Sequence, residues 1–211
     1  MISDEAEARA WLEKLPEWND AAAGRLEQLV VLLGQENARQ NLVSAGSLEA
    51  VWTRHIVDSA QLLGFVPRET CSPWLDLGTG AGFPGLVIAA LRPECEVVMV
   101  ESRSRRAEWL EYARIALGLN RAKTIGSRLE LVPTQSVCVI SARAFAPLPR
   151  LLELSARFST ADTLWLLPKG RSAPQELQRL TGWDHLFHVE HSLTDPEAGV
   201  IVGKLTGKKG R

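Results

Sequence analysis

The chain has little of what would carry it into a membrane or out of the cell. No apolar run approaches the roughly 20 residues of a spanning helix, and the opening stretch MISDEAEARAWLEK is acidic, without the apolar centre of a signal peptide. Cysteine is scarce. The three, Cys71, Cys95 and Cys138, are scattered, odd in number and without metal-ligand spacing, which points to a reducing compartment and away from a zinc site. An excess of one charge is also missing. With 24 Lys and Arg against 25 Asp and Glu, the net charge is −1, so any contact with nucleic acid must come from a local patch. There are no internal repeats. We expect a cytoplasmic, metal-free protein that acts as a monomer.

What is present suffices for one core. At 211 residues and 45% hydrophobic, the chain predicts a helical extension over 1–66 and an α/β unit over 67–211, folded as one compact body. Helices are predicted over 4–15 and 20–33, the second capped by Asp20 and ended by Gly34, with Leu26, Leu29, Val30 and Leu33 at helical spacing. Residues 36–43 read as a connector. Ser47 predicts the cap of a third helix, on which Arg54, His55 and Asp58 ride together; Arg54 and Asp58 share a face, either as a plain surface ion pair or as one wall of a cleft.

From Pro73 onward, strands over 74–77, 97–101, 122–126, 137–141 and 163–167 alternate with helices over 84–91, 104–117, 148–158 and 174–180. That alternation predicts a doubly wound, largely parallel sheet. Residues 187–189 and 200–202 flank a turn-rich stretch and predict a terminal hairpin, hence a terminal antiparallel strand. The basic end, 203–211, is expected to fray.

The organising stretch is WLDLGTGAGFPG, residues 74–85. Gly78, Gly80, Gly82 and Gly85 crowd the turn between a buried strand and a helix whose first position suits Pro84, an arrangement that lets backbone approach a nucleotide-like ligand closely. A purely structural turn would use such glycines too. Glu101, at the end of the next strand and about twenty residues on, is placed to accept hydrogen bonds from both hydroxyls of a ribose. A dinucleotide and S-adenosylmethionine would both use it. Asp76, inside the strand end, suits the ammonium of S-adenosylmethionine, or the turn's own N–H groups, or both.

Taken together, the motifs resemble the RsmG (GidB) family of bacterial methyltransferases. The resemblance is carried by Asn37…Asn41-Leu42, Arg54-His55-Ile56-Val57-Asp58-Ser59, Asp76 through Gly85, Glu101-Ser102…Arg105-Arg106, Ser127-Arg128-Leu129-Glu130, Arg143-Ala144-Phe145-Ala146 and Lys169-Gly170. It implies a class I S-adenosylmethionine-dependent methyltransferase with a Rossmann-like sheet, acting on N7 of a guanine in 16S ribosomal RNA, with that RNA or the small ribosomal subunit as partner. It also implies that Gly78 and Phe83 contact the cofactor, Glu101 holds the ribose, Leu129 and Glu130 border the adenine, and Arg143 lies beside the methyl donor. Asp76, Gly80 and Gly82 complete the expected cofactor set; Arg143, His55 and Lys169 are the expected catalytic residues of the cleft. Two positions depart from the family pattern: Ala142 intervenes between Ser141 and Arg143, and Pro168 precedes Lys169.

The chemistry fits the resemblance. The strand over 137–141 leads into Ala142-Arg143-Ala144-Phe145, where an enzyme acting on an exocyclic amine would carry Asn/Asp-Pro-Pro-aromatic, and Cys138 lies inside a strand pattern, unsuited to nucleophilic attack on a pyrimidine. Guanine N7 needs neither device, because its lone pair lies in the ring plane and carries no proton. Alignment and exclusion of water are then the enzyme's work, and His55 reads as a positioning residue or a packed core histidine. For RNA, Arg54, Arg105, Arg106, Arg128 and Lys169 are the expected contacts. With Arg103, Arg121, Lys123, Arg143 and Arg171 they suggest a basic rim, although each alone suits a solvated surface. Phe145 suits stacking on an extruded base or a place in the core. Two other classes remain open here: a methyltransferase of small molecules or proteins, and a non-catalytic RNA or ribosome-assembly binder.

Overall fold

The computed structural model describes residues 1–69 and 73–210; Cys71 and Arg211 lie outside the described residues. Helices α1 (Glu5–Leu12), α2 (Asp20–Gln40) and α3 (Ala45–Glu49) precede a π-helical turn, Trp52–Val57, which runs into α4 (Asp58–Ala60) and a 3-10 turn, Gln61–Phe65. The α/β part follows as β1 (Trp74–Leu77), α5 (Gly85–Leu91), β2 (Val97–Val100), α6 (Ser104–Ala116), β3 (Ala122–Ile125), β4 (Val139–Ala142), α7 (Leu148–Ser155), β5 (Leu164–Gly170), α8 (Ala173–Gln178), β6 (Trp183–His185), β7 (His188–His191) and β8 (Gly199–Lys208).

The strands join in the order β3-β2-β1-β4-β5-β8-β6, with β7 also paired to β8. β1, β2 and β4 are buried along their whole length, as expected of central parallel strands covered on both faces. One apolar core lies between the sheet and α1, α2, α5 and α6, the other between the sheet and α7 and α8. The final strand is antiparallel: β8 runs against β5, Leu166 opposite Val202. Strand order reverses between β1 and β4, and this switch point opens the crevice in which such sheets bind ligands.

The helical region differs from expectation. Helix α2 passes through Gly34, which costs about 1 kcal/mol against alanine, and ends seven residues later at Asn41, whose φ of 45° turns the chain left-handed. The segment over 36–40 is therefore helix. Asn19, one residue before Asp20, is the cap, its side chain accepting from Ala22 N–H at 2.9 Å. Ser44 caps α3 in place of Ser47, whose backbone N–H donates to the Ser44 hydroxyl at 3.3 Å. The third helix is thus four short segments, α, π, α and 3-10 in turn, and β6 is an edge strand that residue pattern alone did not predict.

Polar contacts tie these helices to the sheet body. The Glu5 carboxylate accepts from the Trp52 and Thr53 N–H groups, capping the π-helical turn from α1. Buried Arg92 donates to Glu17 at 2.9 Å and to the Val66 carbonyl at 3.2 Å. Arg25 reaches the Ala90 carbonyl at the end of α5. Among the described residues, no group of three or more His, Cys, Asp or Glu could hold a metal ion, and no helix is long and apolar enough to cross a membrane. Burial pushes the Cys95 thiol up to about 11, so it stays protonated and unreactive at neutral pH.

Candidate active site

The site grows from the ends of β1, β2 and β4. As β1 stops, the Gly78 and Thr79 N–H groups both donate to the Val100 carbonyl, and the chain then turns with φ of +62° at Gly78 and +109° at Gly82. Only glycine adopts such angles cheaply. At Gly78 the space is closed as well: a Cβ there would lie 2.5 Å from Phe145 Cδ2.

Glu101, 5% exposed, braces the turn from β2. One carboxylate oxygen accepts from Gly80 N–H at 3.0 Å and the other from Arg103 N–H at 2.8 Å. Each oxygen keeps a second lone pair, so the carboxylate is both fixed and still able to accept from a ligand.

Asp76 is fully buried, and its carboxylate serves the protein's own groups. Oδ2 accepts from Gly85 N–H at 3.0 Å and Oδ1 from the Ser141 hydroxyl at 2.7 Å; Ser141 Oγ in turn accepts from the Trp74 indole N–H at 2.8 Å. Of the two roles open in the sequence, the structure displays the tie to the turn. Burial raises its carboxyl to about 6, against the lowering effect of these hydrogen bonds and of the Arg143 charge. Ser141 is a site residue that the motifs did not single out. The parallel register sets it directly beside Asp76, and the available signal was a hydroxyl in an otherwise apolar strand.

Two cavities open over this floor. The smaller, about 310 Å³, is lined by Gly78, Glu101, Arg106, Arg128, Leu129 and Glu130 among others. The larger, about 830 Å³, takes in Arg54, His55, Asp58, Arg143, Lys169, Glu176 and Asp195. Ala144 and Phe145 line both and form the wall between them. The fold therefore brings Gly78, Glu101, Leu129 and Glu130 to one cavity, and Arg54, His55, Arg143 and Lys169 to the other. Phe83, 2% exposed, lies beneath with Asp76, and Arg105 is exposed at the start of α6, lining neither cavity. Arg143 stands on the larger-cavity side of the wall. The smaller cavity lies within the size range of small-molecule sites. With left-handed Gly78 on its lining and a buried Glu101 that keeps free lone pairs, it fits S-adenosylmethionine.

The floor of the larger cavity is a cation network. Arg143 donates to Asp58 Oδ2 at 3.1 Å and contacts His55 Nδ1 at 3.2 Å. The His55 ring stacks on Phe83 with centroids 4.7 Å apart, and the Arg143 guanidinium lies 5.2 Å from the Phe83 ring centre. Asp58 Oδ1 also accepts from Gln61 and from the Thr194 hydroxyl, joining the segment after β7 to this wall. Burial first, then the Arg143 and Arg54 charges, push His55 down to about 3, so it is neutral. π-Helical turns are rare and frequent at functional sites; this one carries Arg54 and His55. Arg54 faces Asp195 at 3.8 Å.

Comparison with known proteins agrees with this architecture. Residues 23–192 match the GidB family model, rRNA small subunit methyltransferase G. A ribosomal RNA small subunit methyltransferase G of Novosphingobium aromaticivorans is 58% identical over 208 residues, spanning 97% of this chain and 90% of the relative. One of Erythrobacter litoralis is 57% identical over 209 residues, spanning 99% and 100%. Among solved structures, a SAM-dependent methyltransferase from Aquifex aeolicus shares the fold with a TM-score of 0.57 at 17% identity, covering 79% of this chain and 95% of its own. A methyltransferase from Geobacter sulfurreducens does so with a TM-score of 0.56 at 16% identity, covering 98% of each chain. These two likenesses concern the fold alone, the α/β fold of class I methyltransferases. On the strength of the family match and of relatives this similar over nearly their whole length, the chain belongs to the GidB family, the rRNA small subunit methyltransferase G proteins.

Proposed function

We infer that the chain transfers a methyl group from S-adenosylmethionine to N7 of a guanine in 16S ribosomal RNA. The observation that supports this best is the shared wall. A cavity built on the glycine turn and Glu101 adjoins a wider one with cationic walls, and Ala144 and Phe145 line both. Bound S-adenosylmethionine supplies an electrophilic sulfonium methyl. The turn at Gly78 and the spare lone pairs of Glu101 would hold the adenosine half, with Leu129 and Glu130 at its border.

No base is required of the larger cavity. N7 carries no proton and presents its lone pair in the ring plane, so no residue of this cavity has to take a proton up. A neutral His55 and an Arg143 held by Asp58 suit that demand: they orient and exclude water while accepting nothing from the substrate. Exposed Arg105, with Arg54, Arg106 and Arg128 at the cavity mouths, would meet RNA phosphates on the small ribosomal subunit. In this reading the protein works in the cytoplasm as a monomer.

The test is incubation with methyl-labelled S-adenosylmethionine and small ribosomal subunits, followed by nucleoside analysis. Label in 7-methylguanosine is the expected result. Label in another nucleoside, or none in RNA, would overturn the reading.

A further inference from the structure

Lys169 is the most enclosed cation at the cleft. Its side chain is only 6% exposed, against 52% for that of Arg54 on the same cavity. β5 outlasts its parallel neighbour: pairing with β4 ends at Leu166, and the strand continues to Gly170, past the point where β4 gives way to the turn over 143–147. The ammonium of Lys169 donates to the Ala146 carbonyl and pairs with Glu176 Oε2 at 3.1 Å. That same Oε2 accepts from Leu148 N–H at 2.8 Å, while Oε1 accepts from the Ser172 hydroxyl at 2.8 Å. Pro147 has no N–H, so the backbone groups on either side of it both end on this one ion pair.

The turn so gripped needs a grip. Ala144 sits at φ +53°, a left-handed angle that an L residue with a side chain adopts only when its surroundings enforce it. On one side of Ala144, Arg143 reaches Asp58 and His55; on the other, Phe145 covers Gly78.

We propose that Lys169 and Glu176 form a positioning pair that fixes the turn carrying Arg143 and Phe145, and that Lys169 acts from behind the cleft without contacting RNA phosphate. The proposal deepens the rRNA methyltransferase reading and rests on it for its catalytic consequence. The two assignments for Lys169 diverge in sign at Glu176. If the ammonium bound phosphate, Glu176→Gln would remove its competitor and tighten RNA. As a clamp, the same change loosens the turn and leaves RNA affinity alone.

The experiment uses the full chain with three substitutions, Glu176→Gln, Lys169→Gln and Lys169→Arg. Glu176→Gln and Lys169→Gln are expected to lower kcat about tenfold or more with KM for the small subunit unchanged, while Lys169→Arg, which still donates to a carbonyl and a carboxylate, retains most of it. The slope of log affinity against log salt for 16S RNA stays at the wild-type value in all three. Hydrogen exchange over residues 143–149 speeds up in the two Gln variants, a readout that needs no methyl transfer. Wild-type exchange in that stretch, a Lys169→Gln salt slope shallower by about one charge, or tighter RNA binding by Glu176→Gln would each overturn the proposal. A wild-type protein that bound RNA but methylated no guanine would instead sink the functional reading, leaving the exchange arm to decide the clamp. Should Lys169→Gln fail to fold, Glu176→Gln, which keeps an acceptor for Leu148 N–H, carries the comparison.

Discussion

The guanidinium of Arg143 and the imidazole of His55 meet at 3.2 Å, Nη2 to Nδ1, from positions 88 residues apart. A guanidinium has donors only, so Nδ1 must accept and the ring's single proton sits on Nε2. That nitrogen is buried without a protein partner among the described residues. A protonated His55 would lose the Arg143 contact and place two cations side by side.

The rate of methyl transfer should therefore show no histidine limb: with His55 pushed down to about 3, kcat for 16S methylation stays level from about pH 6 to 8. His55→Phe keeps a ring over Phe83 but removes the acceptor for Arg143. It should lower kcat about tenfold or more, the equivalent of roughly 1.5–3 kcal/mol, with the same pH profile. A wild-type profile that rises through an apparent pKa near the histidine range would contradict this account.

Asp76 should leave its mark on stability. Its carboxyl lies at about 6 in the native state against 3.8 for a free aspartate. Below the lower value both states are protonated and the contribution is intact; as pH climbs through the upper one, the unfolded chain has already ionised and the contribution is lost, about 3 kcal/mol in all. Asp76→Asn removes the titration. The difference in unfolding free energy between wild type and Asp76→Asn, from urea melts at stepped pH, should move in the variant's favour between about pH 4 and 6 and then level off.

Gly78→Ala meets two obstacles at once, a φ of +62° and the Phe145 ring at 2.5 Å from the new carbon. The angle alone costs about 1–2 kcal/mol. Pairing it with Phe145→Ala should restore part of the stability, by removing the collision, and none of the angular cost. Thermal melts of the two single variants and the double variant test this: simple additivity would mean that the ring gives way freely.

Glu101→Ala should weaken S-adenosylmethionine by about 1–3 kcal/mol in calorimetry, since a charged acceptor is lost and the turn it braces at Gly80 is released. Glu101→Gln, which keeps one acceptor, should lose less. Equal affinities for all three proteins would remove Glu101 from the site.

The α/β half was legible from sequence because its signals are local. Trp74–Leu77 and Val97–Val100 are short apolar runs bounded by turn residues, and the glycines between β1 and α5 occur where only glycine fits. The helical half was less so. Gly34 looks like a stop, but a Cβ there would meet nothing within 4 Å, and the helix runs on to Gln40, capped by Asn41. The cleft was readable in its charged members and not in their partners. Lys169 reads as an open cation because the carboxylate that claims it, Glu176, lies on the following helix, and the carbonyl it holds belongs to another strand's turn. Asp76 reads equally as a ligand for an ammonium or for the turn's own N–H groups, because nothing along the chain shows that Ser141, 65 residues on, will supply a hydroxyl beside it. Contacts of that kind are made by topology, and only register reveals them.

The row of hydrogen bonds from the Trp74 indole through Ser141 to Asp76 gives the protein a built-in reporter. A change of charge at the carboxylate alters how strongly Ser141 polarises the indole proton, so the Trp74 side-chain resonance in a nitrogen-15 spectrum should shift as pH is stepped through about 6. The titration of a wholly buried carboxyl could then be followed in the native protein, from one peak and with no denaturant in the tube.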